Sequence, residues 1–344
     1  MDNDEFLILR SGEATGLVTP AEALDAIEDA WRDYATHRQV LSNPPALGLQ
    51  GQDARFKVKG AVLPGAGLAG FRMIADAQAG AQDWFWLADA VTGRPLAMMD
   101  EYGLHCLRTA ATGALAARML ARPGATRAAL IGAGRIAAQV PACLAAALPG
   151  LTDLHVAARR AEAVEEFVAK APKDLSLALH AAPSIAEAVR DADIVITITS
   201  ATETFLDASM VKPGATVIGL GDVELNADLL GWANRFVVDD LVFALTIGNV
   251  GAWIGSKALT AEAVTARLDA DVGEIVGGMK PGRVTDSDNV LAIIQGMAIG
   301  DLALAVLAWR KARLRRLGIR VGLGAAPNPH LRGPTPRRNR ALIR

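Results

Sequence analysis

Apolar positions fall in short runs through the middle of the chain and in helical or alternating spacing nearer its start. Residues 128–131, 154–157, 194–198 and 216–220 are apolar or nearly so, are bounded by polar or turn-forming residues, and are too short for buried helices. Such runs predict parallel strands covered on both faces. Residues 161–170 between them have helical spacing, so strands and helices alternate and an α/β doubly wound sheet is expected. The N-terminal part reads differently. Thr19 stands as an N-cap before Pro20 and a helical pattern through Tyr34, and after Pro44-Pro45 the runs 54–63, 69–77 and 84–88 read as strands ahead of a turn at Thr92-Gly93.

The first of the central runs leads into I-G-A-G-R-I-A, with Gly132, Gly134 and Ala137 at G-x-G-x-x-A spacing. A buried strand followed by this turn and a helix start is a Rossmann-type dinucleotide site. Gly132 permits the tight turn, Gly134 lets the backbone approach a pyrophosphate, and Ala137 lets the helix lie close to the strand. Ala133, Arg135 and Ile136 complete the loop whose N–H groups face the phosphates. The second run ends at Arg159-Arg160, where a carboxylate for an NAD ribose would stand, while Asp153 lies at the start of that strand. Two guanidiniums there favour the extra phosphate of NADP(H), with NAD(H) as the alternative and a solvated basic turn as the plain structural reading.

Other motifs stand in register with this turn: L-R-T-A-A-T-G-A-L-A-A-R-M-L-A from Leu107, D-A-D-I-V at Asp191, K-P-G-A-T at Lys212, V-V-D-D at Val237 and G-E-I-V-G-G-M-K-P-G-R at Gly273. In order and spacing, over roughly residues 18–318, the chain resembles the ornithine cyclodeaminase/mu-crystallin family. The resemblance implies a homodimer and an NAD(P)-dependent enzyme of amino or imino acids. It also implies an α+β substrate-binding and dimerisation domain (residues 1–121 with 296–320) beside the Rossmann domain (122–295), leaving 321–344 as a disordered basic tail. Cyclodeaminases, amino-acid dehydrogenases and ketimine or imino-acid reductases all belong to this family.

The resemblance also points to site residues. Arg108, in R-T-A-A, is where the family holds the substrate carboxylate; Arg72 falls where a substrate-binding Lys is usual, with an ion pair to Asp76 as the structural alternative. Lys57 and Lys59 share a strand face, and at least one is expected to face the pocket. Ala46 replaces an Arg that many relatives carry. Asp222 follows the fourth run, where open α/β sheets place ligands, and the resemblance marks the same residue as the proton carrier, provided desolvation raises its pKa. His105, where relatives often have Thr, is a second candidate. Thr109, Thr199 and Gly221 join the cofactor-binding set.

Composition narrows the class. With 344 residues, 51% hydrophobic and 21% charged, the chain can bury a large core in two domains. It lacks an apolar stretch of membrane-spanning length. The start M-D-N-D-E-F is unlike a signal peptide, so no membrane association and a cytoplasmic location are expected. Cys106 and Cys143 read as reduced thiols, and five scattered His give no metal-binding spacing. Eleven Lys and Arg with no acid follow Ala308, so the first 309 residues hold 24 Lys and Arg against 37 Asp and Glu. No aromatic platform accompanies the basic end, and a nucleic-acid partner is not expected. The reading is reduction of a small α-imino acid, with the cations suiting a dicarboxylic imine such as iminosuccinate, or the reverse amino-acid dehydrogenase reaction. The alternatives are cyclodeamination of ornithine, and a crystallin-like cofactor-bound binding protein with little turnover.

Overall fold

The computed structural model describes residues 5–77 and 80–324. Six strands come first: β1 (Glu5–Leu9), β2 (Leu47–Gln50), β3 (Ala54–Leu63), β4 (Leu68–Ala77), β5 (Gly80–Asp89) and β6 (Pro95–Asp100). Eight more are β7 (Arg127–Ile131), β8 (Asp153–Ala157), β9 (Ala178–Ala181), β10 (Ile194–Thr197), β11 (Thr216–Gly219), β12 (Arg235–Val238), β13 (Ala270–Asp271) and β14 (Val290–Ile293), and β15 (Ile319–Gly322) follows the last helix.

Strands β7–β14 form one parallel sheet in the order β13-β12-β14-β11-β10-β7-β8-β9. The four central runs are β7, β8, β10 and β11, and every residue of β10 and β11 is buried, as strands covered on both faces require. The pattern leaves out β9, which is mostly exposed, the two-residue β13, and the four-residue strands β12 and β14.

The family motifs supply the bonds that hold this sheet. Asp193 of D-A-D-I-V accepts from Lys212 of K-P-G-A-T at 2.7 Å, from Arg122 at 2.5 Å, and from the N–H groups of Thr126 and Arg127 at the start of β7. Burial alone would raise this carboxyl, but these donors bring it down to about 2. Asp240 of V-V-D-D accepts from the Phe243 N–H and from the Tyr34 hydroxyl. Arg283 donates to the carbonyl of Leu120 at 2.8 Å.

The other strands form a seven-stranded sheet, β15-β1-β6-β5-β4-β3-β2, antiparallel except where β1 meets β6. The predicted runs 54–63, 69–77 and 84–88 are its β3, β4 and β5. Thr19 and Glu22 close a capping box on α1 (Pro20–Thr36). Helix α2 (Tyr102–Leu120) and the closing helix Ala298–Leu314 lie on the inner face of this sheet with α1 packed against both, and α2 also packs on β11. Lodged between two sheets, α2 is buried nearly all round and shows no amphipathic stripe in the sequence.

One boundary is corrected. Val321 and Gly322, assigned to a basic tail, belong to β15, where Val321 pairs with Phe6 and Gly322 with Glu5, and Arg320 bridges to Glu5 at 2.6 Å. The strand is exposed on all four residues, so edge pairing rather than burial orders it, and hydrophobic patterning does not reveal such a strand. Residues 325–344 of the expected tail lie outside the described residues. Among the described residues, no helix is long and apolar enough to cross a membrane.

Candidate active site

The strand order reverses between β7 and β10, so the crevice beyond their carboxyl ends is the switch point of the sheet. The glycine turn lies there. Gly132 has φ +133°, and a Cβ on it would come within 2.3 Å of the Ile198 carbonyl oxygen, so only glycine fits. A Cβ on Gly134 would meet nothing within 4 Å, which leaves the space beside the turn open to a phosphate. Ala137 is buried as expected, but it begins a single 3₁₀ turn, Ala137–Gln139, ahead of α3 (Val140–Ala147). Pro141 lacks the N–H that would bond the Ala137 carbonyl in an α-helix begun earlier. Arg135 reaches across to lie 4.1 Å over the ring of Tyr102 at the start of α2. Arg159 and Arg160 follow β8, exposed and without a hydrogen bond or ion pair among the described residues.

The second half of the site is a charged cluster under the inner face of the seven-stranded sheet. Lys59 and Arg72 stand opposite each other on β3 and β4, and both are buried. Arg72 does not pair with Asp76, which is exposed; its Nε lies 3.0 Å from Glu101, its Nη1 3.3 Å from Asp301 and its Nη2 3.5 Å from Asp83. The guanidinium expected to grip substrate is therefore surrounded by the protein's own carboxylates. Arg108 donates from Nε to Asp301 at 2.6 Å, while its Nη1 packs against Gly296, where a Cβ would come within 2.1 Å. Lys59 donates to the Gly296 carbonyl at 2.5 Å and lies 4.3 Å over the ring of Phe243. Lys57 shares the sheet face but is half-exposed and makes no hydrogen bond or ion pair among the described residues.

Burial sets the electrostatics of this cluster. It pulls Lys59 down to about 7, although Asp301 favours its charged form. It pushes Glu101 up to about 8 against the pull of Arg72. Asp301 would also rise on burial, but Arg108, Arg72 and Lys59 hold it well below the usual carboxylate range. Glu101, His105 and Asp301 bring ligand atoms within 4.8 Å of one another. Arg72 and Arg108 stand among them with Asp301 as their shared counter-charge, so a metal ion would meet two guanidiniums there.

The two halves meet at Gln295-Gly296, just beyond β14. Gln295 donates to the Gly221 carbonyl at 3.3 Å, and the Gly296 N–H donates to Asp239 at 2.5 Å. Glu224, fully buried, accepts from Thr197 Oγ1 at 2.6 Å, the Thr199 N–H at 2.5 Å and the Gly221 N–H at 2.9 Å, while Asn249 accepts from the Glu224 and Leu225 N–H groups. The loop bearing Asp222 is thereby clamped at the mouth of the crevice, with Asp222 itself exposed. The chain's own atoms do not bury this carboxyl. Thr109 is buried on α2, one turn beyond His105.

A glycine turn at the switch point and a cluster of buried cations thus stand at the two sides of the Gly221–Asp222 loop. Residues 8–314 match the ornithine cyclodeaminase/mu-crystallin family. The chain belongs to that family. It is 28% identical to alanine dehydrogenase of Archaeoglobus fulgidus over 330 residues, covering 92% of this chain and 98% of the relative. It is 26% identical to a delta(1)-pyrroline-2-carboxylate reductase of Paracoccus denitrificans over 316 residues, 88% and 95% of the two chains. Among solved structures, an archaeal alanine dehydrogenase dimer with bound NAD superposes with a TM-score of 0.84 at 27% identity, covering 93% of this chain and all of that one.

Several groups of the candidate site are not read from the sequence: Asp83, Glu101, Asp239 and Asp301 in the cluster, and Glu224 and Asn249 behind the Asp222 loop. Asp301 left a signal, because it is the lone acid in A-I-G-D-L-A-L-A-V-L-A, and an isolated charge in an apolar helix needs a buried partner. Glu224 and Asn249 left no such signal.

Proposed function

We propose that the chain reduces the C=N bond of a small α-imino acid with NADPH, or oxidises the corresponding amino acid in reverse. The coarse part of this reading, a nicotinamide-dependent oxidoreductase acting on CH–NH2 or C=N bonds, rests on family membership and on the dehydrogenase and reductase relatives. The observation that carries the rest is the junction at Gln295-Gly296, which ties the Gly221–Asp222 loop beyond β11 to the buried Lys59–Arg72–Arg108 cluster. When bound, the cofactor supplies the hydride. Gly132, Ala133, Gly134, Arg135 and Ile136 would hold its pyrophosphate, Thr109, Thr199 and Gly221 its nicotinamide end, and Arg159 with Arg160 the 2′-phosphate that makes NADP(H) the preferred form. Arg108 orients the substrate carboxylate, Lys59 and Arg72 sustain the positive field behind it, and Asp222 gives a proton to the imine nitrogen, buried by the ligands that cover it. Cations in this number suit a dicarboxylic imine such as iminosuccinate.

The homodimer belongs to this proposal. Leu47 (51% exposed), Leu49 (52%), Val62 (37%) and Phe71 (42%) share the outer face of the seven-stranded sheet with Phe56, Val58, Met73, Trp84 and Trp86, and a second copy would cover that apolar face. The division into residues 1–121 with 296–320 and 122–295 is part of the same reading.

A second reading has one observation in its favour. The carboxylates of Asp83, Glu101, Asp239 and Asp301 offset the cations and supply negative charge for the terminal ammonium of a diamino acid, as cyclodeamination of ornithine requires. NADPH and NADH oxidation with oxaloacetate or pyruvate plus ammonia, run beside ornithine conversion to proline, separates the two. Cofactor oxidation with keto acid and ammonia is the expected result; ammonia release from ornithine without net cofactor turnover would replace it with the second reading.

A further inference from the structure

His105 is the least buried part of the charged cluster, and its neighbours leave the ring one tautomer. Arg72 Nη1 lies 2.8 Å and Arg108 Nη2 3.0 Å from His105 Nδ1, with Thr109 Oγ1 at 3.5 Å. Guanidinium nitrogens only donate, so Nδ1 accepts and the single proton of the ring sits on Nε2. A second proton would face two cations at contact distance. Burial, with the charges of Arg72, Arg108 and Lys59, holds His105 well below the usual imidazole value, and Asp301 pulls the other way without prevailing. Lys59, Arg72, Glu101, Arg108 and Asp301 are at most 5% exposed, whereas His105 is half-buried. Its Nε2 makes no hydrogen bond with any described residue and is not sealed from solvent.

We propose that His105 is a specificity residue, a fixed neutral Nε2–H donor that carries the pull of two buried guanidiniums one ring further out, to an anionic oxygen of the substrate. The inference rests on the imino-acid reading and narrows it to imino acids with a second carboxylate or an equivalent oxygen anion. A terminal ammonium has no lone pair to accept from Nε2–H and would meet its positive end, so the same lock discriminates against diamino acids. Asp222 stays the proton carrier, because a ring that cannot gain a proton cannot deliver one and return.

The test is long-range 1H–15N NMR on the full chain labelled at histidine nitrogen, with His105 assigned by its loss in His105→Gln. The Nε2–H tautomer should persist without titration from about pH 5.5 to 8.5, where an ordinary histidine changes charge. Succinate should shift the Nε2 resonance and 1,4-diaminobutane should not. An Nδ1–H tautomer, a titrating ring, or an Nε2 resonance unmoved by succinate overturns the proposal. In turnover, His105→Leu should raise KM for oxaloacetate with ammonia about tenfold, the size of one charge-assisted hydrogen bond, with little change for pyruvate, and His105→Gln should restore most of it. An equal change for both keto acids overturns the specificity role. A wild type that reduces no imine sinks the proposed function instead, and the resonance measurements, which need no turnover, still decide the role of His105.

Discussion

The two sheets place their proposed site residues in opposite positions. In the parallel sheet, β10, β11 and β14 are buried along their whole length, and the residues proposed for cofactor and proton stand on loops beyond the strand ends: the Gly132–Gly134 turn, Thr199, Gly221 and Asp222. In the antiparallel sheet, the charged groups of the candidate site are strand residues on the core side: Lys59 on β3, Arg72 on β4 and Asp83 on β5. A loop residue can change while the layers beneath it stay packed. A charge in the core cannot change without leaving its partner uncompensated. Stability and activity should therefore separate in the first region and move together in the second.

Asp301→Ala tests that division most severely, since it leaves Arg72 and Arg108 without the carboxylate they share. Urea unfolding should show a loss of about 3–5 kcal/mol, the range for breaking a buried ion pair, together with loss of turnover. A variant with an unchanged unfolding midpoint and no activity would mean that the core cluster behaves like a loop site.

Asp222→Asn should do the reverse. It is expected to lower kcat by about 10²- to 10⁴-fold, the range for a positioned acid or base, with the unfolding free energy within about 0.5 kcal/mol of wild type because the side chain is exposed. Near-normal kcat at saturating imine would remove Asp222 from the mechanism.

Asp193→Asn probes the scaffold of the parallel sheet away from both sites. Losing charge-assisted bonds to Lys212 and Arg122 should lower stability by about 1.5–3 kcal/mol at neutral pH and leave kcat in place. The folded-state pKa lies below the unfolded one, so this stability is present above the ordinary value of 3.8 and is lost as pH falls towards about 2. Denaturation curves of variant and wild type should converge over that acid range, and a gap that persists at about pH 2 would assign the effect to something other than the carboxylate charge.

The smallest effect is expected from replacing Arg159 and Arg160 together by Ala. These exposed loop residues should cost NADPH affinity about tenfold, or ~1.4 kcal/mol, with NADH affinity and thermal stability nearly unchanged. Equal losses for the two cofactors would mean that the pair does not read the 2′-phosphate.

Local chemistry was legible in the chain. The N-cap at Thr19, the glycine turn, and the runs that became β3, β4, β5, β7, β8, β10 and β11 all follow from neighbours a few residues apart. Where the pattern failed, the ordering force was not hydrophobic periodicity. Strand β15 is exposed and is held by pairing with β1, and α2 has no polar face because it lies between two layers.

The candidate site divides along the same line. Arg72, Arg108 and Lys59 could be picked out as cations of interest, and Asp222 as a residue at a strand end, because residue type and position along an element are properties of the sequence. Their partners could not. Arg72 meets Asp301 across 229 residues and Arg108 meets it across 193, and no periodicity connects positions so far apart. Whether a cation is free for substrate or engaged by a carboxylate depends on which groups share a low-dielectric pocket, and packing decides that. By itself the sequence determined two sheets, a dinucleotide turn and a short roster of charged residues; only the tertiary structure decided that Arg72 is enclosed by the protein's own acids, that His105 accepts from two guanidiniums, and that Asp222 stands exposed, because each of these depends on which distant segments pack together.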